Sequence, residues 1–448
     1  MKSHFALCVC AVLACDAGPV YAETTNAAYP IDLSTALRLA GARNLDLQIA
    51  RQRLKEAEAH HSSALQGFFP WLSPGIGYHR RDGEAQAVPS GIISDTHYQS
   101  YYPGATLTAQ VTLGDAIYNT LSAKQIVKAT DHALEAQRED SAVSAAQAYF
   151  DLAKAKALVE VVTQAIKVSR AYQQQLHVAV GAGVAFKGDE LRVQTQTEHY
   201  EITLQQALEQ QRVAAANLAV VLHLDSRTEL VPQETELVPI TLVDTNSSMD
   251  SLVSQALQFR PELKQSHSLV LAAKETQKGA LYGPLIPNLG AQVFAGGLGG
   301  GPDGGPSEFG GTADYTIGLS WRIGPGGLFD RGRVNASKAQ LATAQLSASK
   351  LEDAITSEVV SDLARLHSTS AQIELAKKNL ETATETLQLT RERKQFGVGV
   401  VLEDIEAQQA LNQARSDYFT AVAEFNKAQF ALDRAVGNRA TQALVDRH

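Results

Sequence analysis

Val359, Leu366, Ile373, Leu380 and Leu387 recur every seven residues, and Ala376 and Ala383 take inner positions between them. That spacing marks a narrow helical seam of coiled-coil type, not the wide stripe of a helix covering a globular core. The seam lies in a run free of glycine and proline, Arg333 to Phe396, and a second such run of nearly equal length extends from Ala116 to Val180. At about 1.5 Å per residue each run predicts a rod on the order of 95 Å long, several times an ordinary globular helix. Alanine is frequent along both, as in Ala145-Ala146-Gln147-Ala148, so neighbouring helices can approach closely. A plain dimeric coiled coil would explain this seam equally well.

Ahead of each rod the period changes to two, the signature of a strand. In the first segment Leu107, Ala109, Val111 and Leu113 share a face, against Thr106, Thr108, Gln110 and Thr112. In the second, Tyr315, Ile317, Leu319, Trp321 and Ile323 oppose Thr316, Gly318, Ser320 and Arg322. Partner segments follow Pro70 (Leu72, Pro74, Ile76, Tyr78) and Pro287 (Leu289, Ala291, Val293), with small or polar residues on their other face. Both tryptophans and many aromatics cluster here, among them Phe68, Phe69, Trp71, Tyr78, Tyr98, Tyr101, Tyr102, Tyr315 and Trp321. Such residues favour the headgroup level of a bilayer. Apolar outside and polar inside fits a barrel in lipid around water; a soluble half-buried sheet alternates in the same way. Four strands cannot close a barrel, and an open edge in hydrocarbon leaves backbone groups unpaired at several kcal/mol each. In lipid, therefore, copies must combine, two giving eight strands and three giving twelve.

The chain is a tandem repeat. Ala40-x-x-x-Asn44-Leu45-Asp46-Leu47 corresponds to Ala256-x-x-x-Arg260-Pro261-Glu262-Leu263, and Phe69-Pro70-Trp71-Leu72 to Ile286-Pro287-Asn288-Leu289. After the rods, Gly181-Ala182-Gly183-Val184 recurs as Gly397-Val398-Gly399-Val400. Each half predicts helix, strand, strand, long helix, tight turn, helix. The first repeat takes residues 23–248, with a strand pair at about 70–114, rod 116–180 and helix 189–231. The second takes 249–448, with a strand pair at about 287–324, rod 333–396 and helix 400–436. The link from Asp225 to Ser248 carries the proline-stopped segments Leu230-Val231-Pro232 and Leu237-Val238-Pro239, extended against the bundle. Two stretches predict irregular polar loops at the far ends of the strands, Arg80 to Gly104 and the glycine run from Gly299.

Composition adds the compartment. Met1 to Ala22 has Lys2, an apolar core from Phe5 to Ala14 and Val20-Tyr21-Ala22 as a cleavage site, the layout of a secretory signal too short to span a membrane. Val12-Leu13-Ala14-Cys15 offers an alternative, a lipoprotein site with Cys15 acylated. All three cysteines, Cys8, Cys10 and Cys15, fall in this leader, so no disulfide is expected after it. The formal net charge is −9 and no basic tract tracks phosphates, which argues against nucleic acid. No later segment approaches the roughly 20 apolar residues of a membrane helix.

With both halves in view, the residues resemble the outer-membrane efflux protein family, the TolC-type channels. The most specific parts are the duplicated entries at Pro70 and Pro287, the tip Gly397-Val398-Gly399-Val400-Val401-Leu402-Glu403-Asp404-Ile405-Glu406-Ala407, and the tail from Gln408-Gln409-Ala410-Leu411 through Tyr418 to Leu432 and Gly437. The resemblance implies a mainly α chain with a transmembrane β-barrel. Its homotrimer would form one twelve-stranded barrel in the outer-membrane lipid of a Gram-negative-type bacterium, continued by a coiled-coil tunnel in the periplasm. Such a duct is passive; a periplasmic adaptor and an inner-membrane pump supply energy and choose cargo. It further implies a pore constriction at Glu403 and Glu406, and adaptor-docking tips at Gly181, Gly183, Val184, Gly397, Val398 and Gly399. Trp71, Tyr78, Tyr315 and Trp321 become membrane-interface aromatics.

Residues three apart share a helical face, and like charges 4 Å apart repel by about 1 kcal/mol in water and about 4 at an effective dielectric of 20. Glu403 and Asp404 also suit a helix N-terminus through the dipole alone. Asp189 and Glu190 hold the matching place in the first half, with Arg192 in place of the second acid, and Gly399 stands where relatives often carry a basic or polar residue. Glycines at both turns are needed simply to reverse the chain.

Enzyme motifs fail on context. Gly299 to Gly304 spells GxGxxG but leads into a strand, not a helix; Gly181 to Lys187 is followed by Gly188 where a P-loop needs Ser or Thr; His60 and His61 are adjacent, not four apart. No cofactor or metal motif is present. The rival from another class is a structural periplasmic coiled-coil or adhesion protein. Drug, metal and polypeptide exporters would share this architecture.

Overall fold

The computed structural model describes residues 29–86, 90–234, 236–301, 309–395 and 401–438. The leader with its three cysteines and the second tip at Gly397, Val398 and Gly399 lie outside the described residues. The first half runs β1 (Tyr29–Ile31), α1 (Leu33–Arg43), α2 (Leu45–Gln66), β2 (Trp71–Gln86), β3 (Ile93–Thr112), α3 (Leu113–Gly181) and α4 (Lys187–Val221). After β4 (Leu230–Pro232) the second half repeats the order as α5 (Met249–Phe259), α6 (Pro261–Tyr282), β5 (Asn288–Gly301), β6 (Phe309–Ser320), α7 (Arg331–Gln395) and α8 (Val401–Val436).

Matching chemistry breaks each half's first helix in two. Asn44 and Arg260 have almost the same extended backbone (φ −60, ψ 125 and φ −59, ψ 126). The Asn44 side chain accepts from the backbone of Asp46 and Leu47, at 2.8 and 3.2 Å, while Arg260 relies on Pro261 at the first helical position. The long rods are straightforward consequences of breaker-free sequence, at 69 residues for α3 and 65 for α7.

Four sequence expectations need correction. α4 ends at Val221, not Val231. Leu222 to Leu224 close it with His223 at φ 52, and the carbonyls of Val220 and Ala219 accept from His223 and Leu224, a left-handed termination that no glycine advertises. Most of the segment Arg80 to Gly104 is not an irregular loop: β2 and β3 pair without interruption from Trp71↔Thr108 to Gln86↔Ile93, and Ala87 to Pro89 lie outside the described residues. The glycine run likewise continues β5 through Gly301, and Pro302 to Glu308 lie outside the described residues. In the other direction, β6 stops at Ser320, so Trp321 and Ile323 lie past its last paired residue.

β2, β3, β5 and β6 form one antiparallel sheet in that order, with β2 and β6 as its edges. The adjoining helices follow the same order, α2 against α3, α3 against α6, α6 against α7. Towards the far end the pairs are α3 with α4 and α7 with α8, and α3 also packs on α8. The seam predicted on α7 is buried: Val359, Leu363, Leu366 and Ile373 meet Val422, Phe425 and Leu432 of α8, and further down Ala383 and Leu387 meet Ala407, Leu411 and Ala414.

A second core sits at mid-length. Phe150 of α3 and Phe430 of α8 pack with ring centroids 5.6 Å apart, tying the halves together. Ile31, Leu218, Leu222 and Leu230 close around them, with β1 and β4 paired in parallel alongside. The connector is held by two fully buried amides of α8. Asn426 Oδ1 accepts from Ile240 at 2.8 Å and its Nδ2 donates to Val238 O at 2.9 Å. Gln429 Oε1 accepts from Leu242 and Val243, at 3.0 and 2.8 Å, and Nε2 donates to Val243 O at 3.2 Å. Buried polar groups are tolerated when so paired.

Candidate functional site

The first part of the site is the sheet, whose register sorts every residue onto one of two faces, because directly paired residues point the same way. One face gathers the rows Leu72↔Leu107, Leu107↔Val293 and Val293↔Tyr315. The next rows bring together Pro74, Ala105, Ala295 and Ala313 on one side, and Ala109, Ala291 and Ile317 on the other. The opposite face is mostly Thr, Ser, Gly and Gln, with Thr106, Thr108, Gln292, Thr312 and Thr316 in its centre. The apolar face is bare: Ile76, Tyr315 and Ile317 are 83 %, 78 % and 81 % exposed in the single chain.

On β3 this apolar stripe runs from Tyr101 to Val111. At about 3.4 Å per residue and a strand tilt near 40° that is roughly 27 Å along a barrel axis, close to the apolar belt of an outer-membrane barrel. At its outer limit Tyr78 packs on Tyr101 with centroids 5.1 Å apart, and the Tyr78 hydroxyl donates to Gln99 at 3.0 Å. Beyond them the same face turns charged, with Arg80 2.7 Å from Asp82 and His97 between Asp82 and Asp95.

Of the four aromatics singled out by sequence, Tyr78 and Tyr315 therefore stand on the apolar face. Trp71 pairs with Thr108 and belongs to the polar face. Trp321 lies past the sheet, its indole Nε1 donating to Leu285 O at 3.2 Å.

The second part is the helical tip. The α3–α4 turn reverses through Gly183 at φ 75. Val184 N donates to Ala179 O and Gly183 N to Val180 O, both at 3.0 Å, the paired bonds of a Schellman termination. Val184 and Phe186 project from it, 79 % and 72 % exposed. The Phe186 ring lies against Gly188, where a Cβ would come within 2.4 Å of it. Glu190 ties the turn to the rod: its carboxylate takes Lys187 Nζ at 2.6 Å and faces His177 Nδ1 at 2.9 Å. Those bonds, Lys187's first, hold its pKa below the usual carboxylate range.

On α8 the three acids separate. Glu406 is exposed. Glu403 is partly exposed and faces Arg393 at 3.4 Å. Asp404, between them in sequence, is buried. Arg391 of α7 stands 3.8 Å from Asp404, and Tyr172 of α3 hydrogen-bonds to it. Burial first, then the carboxylates of Asp404 and Asp189, push the Tyr172 phenol well above its usual range, so it remains a donor. These three residues border a cleft of about 590 Å³ between α3, α4, α7 and α8, near which Asn412 Nδ2 donates to the Tyr200 hydroxyl at 3.1 Å.

Asp404 was missed as a tip contact, although its spacing carries the signal: 404, 407, 411 and 414 continue the buried stripe of α8, whereas 403 and 406 lie beside it. Among the described residues no group of three or more His, Cys, Asp or Glu side chains could hold a metal ion, and no helix is long and apolar enough to cross a membrane.

Comparison with known proteins fits this geometry. The family model for outer membrane efflux protein matches residues 36–222 and 252–438, one match per repeat. The chain is 23% identical over 429 residues to nodulation protein T of Rhizobium leguminosarum bv. trifolii, covering 88% of this chain and 83% of that protein. Among solved structures, the CmeC outer membrane channel of Campylobacter jejuni superposes with a TM-score of 0.75 at 17% identity, over 90% of this chain and 85% of that one. VceC of Vibrio cholerae, an outer membrane protein, gives 0.71 at 18% identity, over 91% and 96%. The fold is thus that of channels rather than enzymes, with its strands in the outer membrane and its helices in the periplasm. With both repeats matched over most of their length, the chain belongs to the outer membrane efflux protein family.

Proposed function

We propose that three copies close into one twelve-stranded barrel and one helical tunnel, forming the passive exit duct of a tripartite efflux or type I secretion machine. One observation carries the reading: a four-stranded sheet, apolar on one face and mostly polar on the other, with both edges unpaired among the described residues of the chain. Hydrocarbon tolerates no unpaired backbone edge, so β6 of each copy pairs with β2 of the next. The matching helix order carries the same closure into the tunnel, α7 meeting the neighbour's α2.

In this duct Tyr78 and Tyr315 face lipid headgroups or acyl chains, and Trp321 marks the periplasmic limit. Trp71, on the polar face, lines the lumen side of that limit. As a passive duct it takes the energy for outward transport from an inner-membrane pump, coupled through a periplasmic adaptor. The adaptor docks on the reversing tips, Gly181 to Val184 and Gly397 to Gly399, with Val184 and Phe186 as the protruding apolar contacts on the first. Glu403 and Glu406 lie beside the buried α7–α8 seam, and three-fold closure gathers them around the axis as a cation-preferring constriction.

The test is single-channel recording in planar bilayers on protein shown by native mass spectrometry to be a trimer. Glu403→Ala with Glu406→Ala is expected to raise conductance and lower cation preference. Unchanged conductance and selectivity remove these two residues from the constriction; a lone monomer without channel activity removes the duct.

A further inference from the structure

We propose that the helix–strand joints at the two open edges of the protomer form an apolar lock between copies, Phe329 of one copy seating on Phe69 and Leu65 of the next. The lock rests on the three-fold closure above.

Phe329, in the β6–α7 joint, has φ 71, a left-handed backbone that a bulky side chain rarely adopts, and its ring is 84 % exposed. Hydrogen bonds on both sides hold it there. Gly324 N donates to Leu328 O at 3.0 Å and Leu328 N to Arg322 O at 2.9 Å. Asp330 then accepts from Gly326 N at 2.8 Å and from Arg333 N at 2.9 Å, capping α7. The loop is thus built to present an aromatic ring outward in a strained conformation, with little in its own chain to receive it. Local strain of this kind persists where surrounding structure enforces it and marks functional contacts.

The receiving surface lies on the other edge. The α2–β2 joint exposes Phe69 (67 %) and Leu65 (43 %), only partly covered by the described residues of its own chain. Sheet register sets the two joints a few positions apart. Ser320 pairs with Asn288 and Asn288 with Thr112, while Trp71 pairs with Thr108, four positions before Thr112 on β3. An offset of this size is what strand tilt absorbs when a sheet closes. A projection on one edge and a receptor on the other make a head-to-tail contact, the kind that closes into a ring. Lipid is the competing occupant, since both joints sit at the periplasmic limit of the apolar face.

Because no cysteine follows Cys15, the contact can be read by cross-linking. Phe69→Cys with Phe329→Cys, treated in membranes with a short bismaleimide, should give covalently linked trimers that neither single variant gives. A trimer intact by native mass spectrometry but unlinked in the double variant, with Phe329→Cys taking up a lipid-soluble maleimide instead, overturns the lock and leaves the closure standing. Absence of any trimer in the wild type overturns the closure itself. Phe329→Gly relieves the backbone strain while deleting the ring. It should raise trimer dissociation in detergent at least tenfold; unchanged dissociation overturns the proposal.

Discussion

The middle of this molecule and its sheet are built from similar residues but solve burial differently. Around Phe150 and Phe430 the chain completes its own core: Ile31, Leu152, Leu218, Leu222 and Leu230 are all essentially inaccessible. In the sheet, isoleucines and tyrosines of the same size stand bare on one face. A chain that can bury Leu366 completely does not leave Ile317 in water for lack of packing options. The middle is finished by folding; under the proposed closure the sheet is finished by lipid and by neighbouring copies.

The largest expected effect is in the finished region. Phe430→Ala removes an aromatic shared by both halves and should cost about 3–5 kcal/mol, seen as a lower helical melting temperature in detergent. In the sheet, neighbouring residues should behave oppositely. Leu107→Arg puts a guanidinium on the apolar face near mid-height and should cost about 2–4 kcal/mol of membrane stability, whereas Thr106→Arg on the polar face should be tolerated and alter ion selectivity. Urea unfolding from liposomes measures both. If the two cost the same, the faces are not distinct environments.

How far these regions are legible in sequence also differs, for a physical reason. Rods and strand faces follow from periodicity alone: Val359, Leu366, Ile373 and Leu387 lie buried and Leu380 half-buried where the heptad puts them. The outer half of β2 and β3 was unreadable because alternation disappears once both faces are polar, as from Arg80 to Gln86; pairing continues there through the backbone. The end of α4 was hidden because His223 occupies a left-handed position where Gly437 does so in the second half. At the tip, the acidic cluster was visible, but its division into a buried Asp404 and flanking Glu403 and Glu406 depends on which residues meet α3 and α7.

Smaller effects sharpen the contrast further. Gln429→Leu would strand the buried N–H groups of Leu242 and Val243, at about 1–3 kcal/mol, detectable as faster hydrogen exchange confined to the connector. At the tip the expected effect is a pH dependence. Glu190 has a lowered pKa through Lys187 and His177, so its contribution is present above the ordinary carboxylate range and is lost as pH falls through its own, lower value. Hydrogen exchange at Val178 to Gly183 should accelerate on that descent in the wild type and show no such step in Glu190→Gln.

The central claim, oil on one face of the sheet and water on the other, is tested most directly by single cysteines placed in turn from Ala105 to Gln110 in the reconstituted protein. Labelling by a charged, membrane-impermeant maleimide is predicted to alternate, strong at 106, 108 and 110 and weak at 105, 107 and 109, with a lipid-soluble reagent showing the reverse. Equal labelling of both sets by the charged reagent would contradict the account.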